Sequence, residues 1–233
     1  MAVRIHAYRL YVAAFPHHNA RVAGINVESV AEVTRRAGAT MAELLERVRG
    51  CTHCASELPL GPRPVLQASA TSSVVIVSQA PGRRVHASGV PFDDPSGDRL
   101  RGWLGVDRGA FYDASRFAVV PMGFCYPGTG PSGDLPPRPE CAPLWHAEVF
   151  AALPRERLTL AVGAYAQRAL LGERWRGSVT ATVQAWRELA PEVVPLPHPS
   201  PRNQAWFKRH PWFEDEVVPR LRRAVASGRW TEG

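Results

Sequence analysis

Ser72-Ser73-Val74-Val75-Ile76-Val77-Ser78-Gln79-Ala80-Pro81-Gly82 is the stretch on which the fold turns. A continuous apolar run that stops at a Pro-Gly turn reads as a strand buried on both faces and feeding a tight loop. Beyond the loop, Asp94-Pro95-Ser96-Gly97 opens a helix, with Asp94 or Ser96 as its cap. The alternation then recurs. Residues 116–125 (RFAVVPMGFC) read as a second strand and 142–153 as a helix. Residues 157–163 (RLTLAVG) read as a third strand and 164–172 as its helix. Residues 192–201 (EVVPLPHPSP) form a fourth strand running into a loop, and 211–228 a closing helix. Strands alternating with helices predict a three-layer α/β/α sandwich around a central, mostly parallel, four-stranded sheet.

Working outward, residues 126–139 are a long turn-rich loop and 55–70 a Pro-rich connector. Residues 42–50 (AELLERVRG) form an amphipathic helix that runs straight into Cys51, and Met41 is a candidate start of the natural chain. Residues 1–38 read as an N-terminal extension with one short helix over 25–37, and 39–228 as the folded domain. The sequence has no internal repeats.

The chain has 233 residues, enough for a sizeable core without covalent staples. Its net charge is +7, with 28 Lys plus Arg, which suits phosphate contact on nucleic acid; a GC-rich genome would give the same bias. No apolar run reaches the length of a membrane span, and the first residues lack the apolar core of a secretion signal. The expected location is the cytoplasm, in association with the nucleoid.

The four cysteines carry a second message. Cys51 and Cys54 form a close pair, whereas Cys125 and Cys141 are separated by fifteen residues. A reducing cytosol disfavours disulfides, so four thiols with no spare point to one metal or cluster site. Zinc commonly takes two close pairs. The split second pair fits a cluster held by separated loops better.

In parallel sheets the functional loops lie at the carboxyl ends of the strands. Here these are 79–97 (QAPGRRVHASGVPFDDPSG), 123–128 (GFCYPG) and 198–203 (HPSPRN). Together they resemble the uracil-DNA glycosylase superfamily. The Gln79-Ala80-Pro81-Gly82 and Gly89-Val90-Pro91-Phe92 segments and the cysteine pattern are most similar to its iron–sulfur branch, family 4. The His198-Pro199-Ser200-Pro201-Arg202-Asn203 loop is more similar to the single-strand-selective branch. The resemblance covers roughly residues 42–226 and implies a [4Fe–4S] cluster on Cys51, Cys54, Cys125 and Cys141.

Two departures stand out. Gln79 occupies the place of an acid, with Ala80 beside it where other branches carry Asp or Asn. Pro121 occupies the place of an Asn that reads the base edge. The resemblance implies a DNA glycosylase of base excision repair that flips uracil into a pocket and hydrolyses its N-glycosidic bond. The altered motifs leave open another deaminated base, hypoxanthine or xanthine, or a non-catalytic iron–sulfur DNA-binding protein.

The implied roles follow by residue. His198 would donate to the departing base and stabilise its anion. Gln79 would position water or contact the base edge, but an amide is no general base. Asp94, with Asp93, is the nearest acid to activate water, although Asp94 also reads as a helix cap, and His86 is a further candidate base. Phe92 would stack on the flipped base beside Ala80, and backbone groups at Met122 and Gly123 would read its edge. Gly82, Arg83 and Arg84 on one side, and Ser200, Arg202 and Asn203 on the other, would meet DNA, with Lys208 and Arg209 on phosphates. The motif loops hold no lysine for a Schiff base, which implies a monofunctional enzyme; the expected partner is single- or double-stranded DNA, and the expected state a monomer.

Overall fold

The computed structural model describes residues 40–131 and 133–230. The expected extension over 1–38, and the short helix within it, lie outside the described residues. Helix α1 spans Met41–Arg49. Thr40 and Glu43 cap it reciprocally: the Glu43 N–H donates to the Thr40 hydroxyl, and the Thr40 N–H donates to the Glu43 carboxylate at 2.7 Å. Then follow β1 (Val74–Val77), α2 (Arg83–Ser88), α3 (Pro95–Leu104), α4 (Arg108–Tyr112) and β2 (Phe117–Val119). A small hairpin, β3 (Thr129–Gly130) and β4 (Gly133–Asp134), precedes α5 (Cys141–Ala152) and β5 (Leu158–Val162). The remainder is α6 (Gly163–Leu171), α7 (Val179–Gln184), α8 (Trp186–Leu189), β6 (Val194–Leu196), α9 (Gln204–Arg209) and α10 (Val218–Ser227).

The central sheet has the order β2-β1-β5-β6, and its three pairings are all parallel. The expected sandwich is present. In register, Val74 faces Phe117 on one side and Leu158 on the other, and Leu160 faces Val194. Alternate side chains feed two cores, as period-two geometry requires. Val74, Ile76, Phe117, Val119, Leu158 and Leu160 pack with Trp103, Phe111, Trp186, Phe213 and Leu221. Val75, Val77, Ala118, Val120 and Ala161 pack with Leu44, Val48, Trp145 and Val149 from α1 and α5.

The second strand is shorter than its apolar run suggests. It stops at Val119, and Val120 continues the pairing by donating to the Ile76 carbonyl before Pro121 removes the next donor. The expected single closing helix is divided: a π-turn over Phe213–Val217 leads into α10. Pro219 in the first turn of α10 lacks an N–H and crowds the carbonyl four residues back, a recognised cause of such a bulge. No helix among the described residues is long and apolar enough to cross a membrane.

Candidate active site

A cavity of about 470 Å³ opens at the carboxyl end of the sheet. The loop after β1 supplies Ser78, Gln79, Ala80 and Gly82, with Arg83 and Arg84 from the start of α2. Phe92 and Asp94 come from the segment before α3, Pro121 from the end of β2, and His198 to Asn203 from the loop after β6. Chain segments more than a hundred residues apart in sequence converge because parallel strands place all their carboxyl ends on one rim.

His198 is fixed in one tautomer. The Ser200 N–H donates to its Nδ1 at 3.2 Å, so the neutral ring carries its proton on Nε2. Burial pushes its pKa below the usual 6.5, against the opposing pull of the Asp94 and Asp134 charges. Gly163, at φ +81°, lies against the ring; a methyl there would sit 3.4 Å from the imidazole. The loop is braced by its own side chains. Asn203 Nδ2 donates to the His198 carbonyl at 2.8 Å, and the Arg202 N–H donates to the Ser200 hydroxyl at 3.3 Å. Asn203 and Ser200 thus shape the loop as well as lining the cavity.

Arg99 on α3 clamps the same loop. Its guanidinium donates to the Pro199 and Ser200 carbonyls at 3.4 and 3.2 Å and to Gln204 Oε1 at 2.7 Å. It also stacks over Phe207 at 4.7 Å. In the sequence Arg99 reads as one more charge on a solvated helix face.

Phe92 is the one non-glycine residue with positive φ among the described residues, at +55°. Held strain of this kind concentrates at binding sites. Two features hold it. Arg101, itself buried, donates to the Phe92 carbonyl at 3.3 Å. Gly97 lets α3 approach so closely that a Cβ there would fall 1.8 Å from that carbonyl oxygen. Asp94 is the cap of α3, its Oδ1 accepting from the Gly97 N–H at 2.9 Å, with Pro95 in the first turn. Asp93 is directed away, into an ion pair with Arg108 at 2.8 Å that holds its carboxyl below the usual carboxylate range. His86 also leaves the candidate list: its ring is buried beside Tyr126, and its Nδ1 has no hydrogen-bond partner.

Met122 and Gly123 are not on the cavity wall. Their N–H groups donate to the Ser78 and Gln79 carbonyls at 2.8 and 3.0 Å, extending the strand pairing, so neither is left to read a base. Behind Pro121 stands His146 of α5. It is fully buried, and its Nε2–H donates to the Pro121 carbonyl at 2.9 Å. Burial pushes its pKa down to about 4, so this ring is neutral at pH 7.

A second, small cavity is lined by Cys51, Cys54, Cys125 and Cys141, all free thiols. Packing of α1 against α5, with an Arg47–Glu148 ion pair at 2.5 Å, brings Cys51 beside the first residue of α5, Cys141. Burial raises the Cys125 and Cys141 thiols to about 11 and about 12. The Phe124 N–H donates to Cys141 Sγ at 3.3 Å, and Arg138 lies beside Cys54. Among the described residues no three His, Cys, Asp or Glu side chains are grouped so as to hold a metal ion.

A family model described as the uracil DNA glycosylase superfamily matches residues 66–222, which include every segment named above for the larger cavity. The chain belongs to the uracil DNA glycosylase superfamily. Arginines 83, 84 and 202 stand around the larger cavity, within the matched residues. Of the expected residues, the superfamily cavity gathers Gln79, Ala80, Gly82, Arg83, Phe92, Asp94, His198, Ser200, Arg202 and Asn203. It also contains Asp134, from the hairpin between the third and fourth cysteines.

Proposed function

We propose that the protein is a monofunctional DNA glycosylase of base excision repair, which hydrolyses the N-glycosidic bond of uracil flipped out of DNA. The tautomer of His198 carries this reading. With Nδ1 occupied by the Ser200 N–H, the Nε2–H is a preorganised donor on the cavity wall. Cleavage places negative charge on the departing base, and a neutral donor aimed at that charge stabilises the transition state by about 3 kcal/mol. Phe92 presents an aromatic surface for stacking, and Gln79 an amide for the base edge or for water. Among the described residues no lysine lines the cavity, which supports hydrolysis without a Schiff-base step. Arg83, Arg84 and Arg202 would engage the phosphates of the single- or double-stranded DNA partner.

A second reading concerns the base. Pro121 puts an apolar ring where a selective uracil reader needs an amide, and the neighbouring N–H groups at Met122 and Gly123 are already bonded. A wall of that kind favours a broader intake, with hypoxanthine or xanthine alongside uracil.

The residue types lining the second cavity are those an iron–sulfur cluster takes, although as placed they are not grouped to hold a metal ion. Four free thiols from separate segments line it, and none is spent on a disulfide. The Cys125 and Cys141 thiols, raised by burial, are poor free thiolates, and ligation by iron would deprotonate them outright. Cys51, Cys54, Cys125 and Cys141 would hold a [4Fe–4S] cluster, whose contribution when bound is a structural cross-link between α1, α5 and the Cys125 loop. Free thiols suit work in the cytoplasm, at the nucleoid, with the protein acting as a monomer.

The test is base release from oligonucleotides carrying uracil, hypoxanthine or xanthine, single-stranded and paired, followed by alkaline cleavage at the abasic site. Uracil release supports the first reading. Release of a purine lesion alone replaces it with the second. Tight lesion binding without release from any substrate leaves a non-catalytic iron–sulfur DNA-binding protein. Iron and sulfide content with broad visible absorption, lost in Cys141→Ser, supports the cluster; a colourless zinc protein refutes it.

A further inference from the structure

We infer that Asp134 is the catalytic carboxylate of this site, replacing the acid missing at Gln79 and Ala80. The inference rests on the glycosylase reading and adds to it the group that activates water. Asp134 ends the β3–β4 hairpin, and its backbone is fixed by pairing with Thr129 and by the Leu135 N–H donating to the Gly128 carbonyl at 2.8 Å. One carboxylate oxygen is anchored: Thr129 Oγ1 donates to Oδ1 at 3.2 Å, and Tyr126 OH donates to Thr129 Oγ1 at 2.5 Å. The other oxygen, Oδ2, lies over Gly82 in the cavity, 3.3 Å from where a Cβ at that position would be. Glycine at 82 therefore leaves the space the carboxylate uses. The charge reaches His198, whose protonated form it favours. Arg202 lies where a side chain at Gly133 would sit, so the HPSPRN loop and the hairpin meet beside the carboxylate.

Of the two other acids at hand, only Asp93 is drawn out of the cavity, by its pairing with Arg108; Asp94 also lines it, but its bonded oxygen is spent on capping α3. Asp134 has an unbonded oxygen in the cavity and an anchored partner oxygen, as a general base requires. In the step, the C1′–N bond breaks and its electron pair leaves with the base, whose negative charge meets the His198 Nε2–H. A water oxygen bonds to C1′ as Asp134 Oδ2 accepts the water proton. That proton passes to solvent, and the released base anion takes one up, so the net change is addition of water across the glycosidic bond. The carboxylate also stabilises the positive sugar before attack.

The experiment is single-turnover base release with enzyme in excess, on whichever lesion the wild-type protein processes, with melting temperature and DNA affinity measured in parallel. Asp134→Asn should slow release about 100-fold or more while both controls stay unchanged. Asp134→Glu should recover part of the rate, and added formate should rescue Asp134→Ala, which a structural role would not allow. Release by Asp134→Asn within about threefold of wild type overturns the assignment. So does a slow Asp134→Asn that neither the Glu variant nor formate improves. Failure of the wild-type protein to release any base refutes the glycosylase reading itself, and this assignment with it.

Discussion

Replacing His198 with alanine removes one neutral donor from the cavity wall and nothing that meets phosphate. In a partly water-excluded site, one such donor aimed at developing charge is worth about 2.7–4 kcal/mol, or roughly 10²–10³ in rate. The structure sets the rest of the expectation. His198 Nδ1 accepts a single backbone bond, from Ser200, at 3.2 Å. Ser200 is only half-buried, so its freed N–H can find water, and the stability cost should stay near about 1 kcal/mol. The loop keeps its shape through the Arg99 clamp and a hydroxyl-to-backbone bond at Ser200. Single-turnover release should therefore fall about 100- to 1,000-fold, with melting shifted by a few degrees at most and DNA affinity unchanged. A variant that releases base within about threefold of wild type would show that this wall does not hold the leaving group, and the functional assignment would fail.

Further expectations follow from the surrounding architecture. Arg99→Ala should lower kcat by roughly tenfold and melting by about 2 kcal/mol equivalent, because three hydrogen bonds and the stack on Phe207 are lost together; unchanged kinetics would show the loop holds itself. Gly97→Ala should cost upward of about 3 kcal/mol in urea unfolding or displace Phe92, since the new methyl would collide with the Phe92 carbonyl. His146 has its pKa depressed from 6.5 to about 4, so its contribution is complete above pH 6.5 and is lost as pH falls through 4, by about 3 kcal/mol. His146→Gln, which cannot be protonated there, should flatten that part of the acid unfolding curve; an unaltered curve would place the acid sensitivity elsewhere. His198 acts in the same direction, present above 6.5 and weakening below it.

The strands were legible because VVIV, FAVV and LTLAV are short apolar runs bounded by turn residues, and a parallel sheet covered on both faces writes itself that way. The cavity residues were legible where a motif carried them: Gln79, Phe92 and His198 lie together on its wall. What escaped the sequence has physical causes. Asp134 follows a Pro-Ser-Gly run without periodicity, and turn chemistry alone accounts for an Asp after such a run. A two-residue strand pair is below the length at which alternation can register. Arg99 shows its role only through carbonyls a hundred residues away. Met122 and Gly123 looked available because a sequence does not reveal that their N–H groups continue the strand pairing.

One consequence of helix α5 remains. Its first residue, Cys141, stands on the wall of the thiol cavity, and its sixth, His146, holds the carbonyl of Pro121 on the wall of the base cavity. The two lie about 7.5 Å apart along a single rigid rod. A helix cannot move one end of such a span without the other, so the two cavities form one mechanical unit. A change in how Cys141 is seated is transmitted to the surface against which a base would rest.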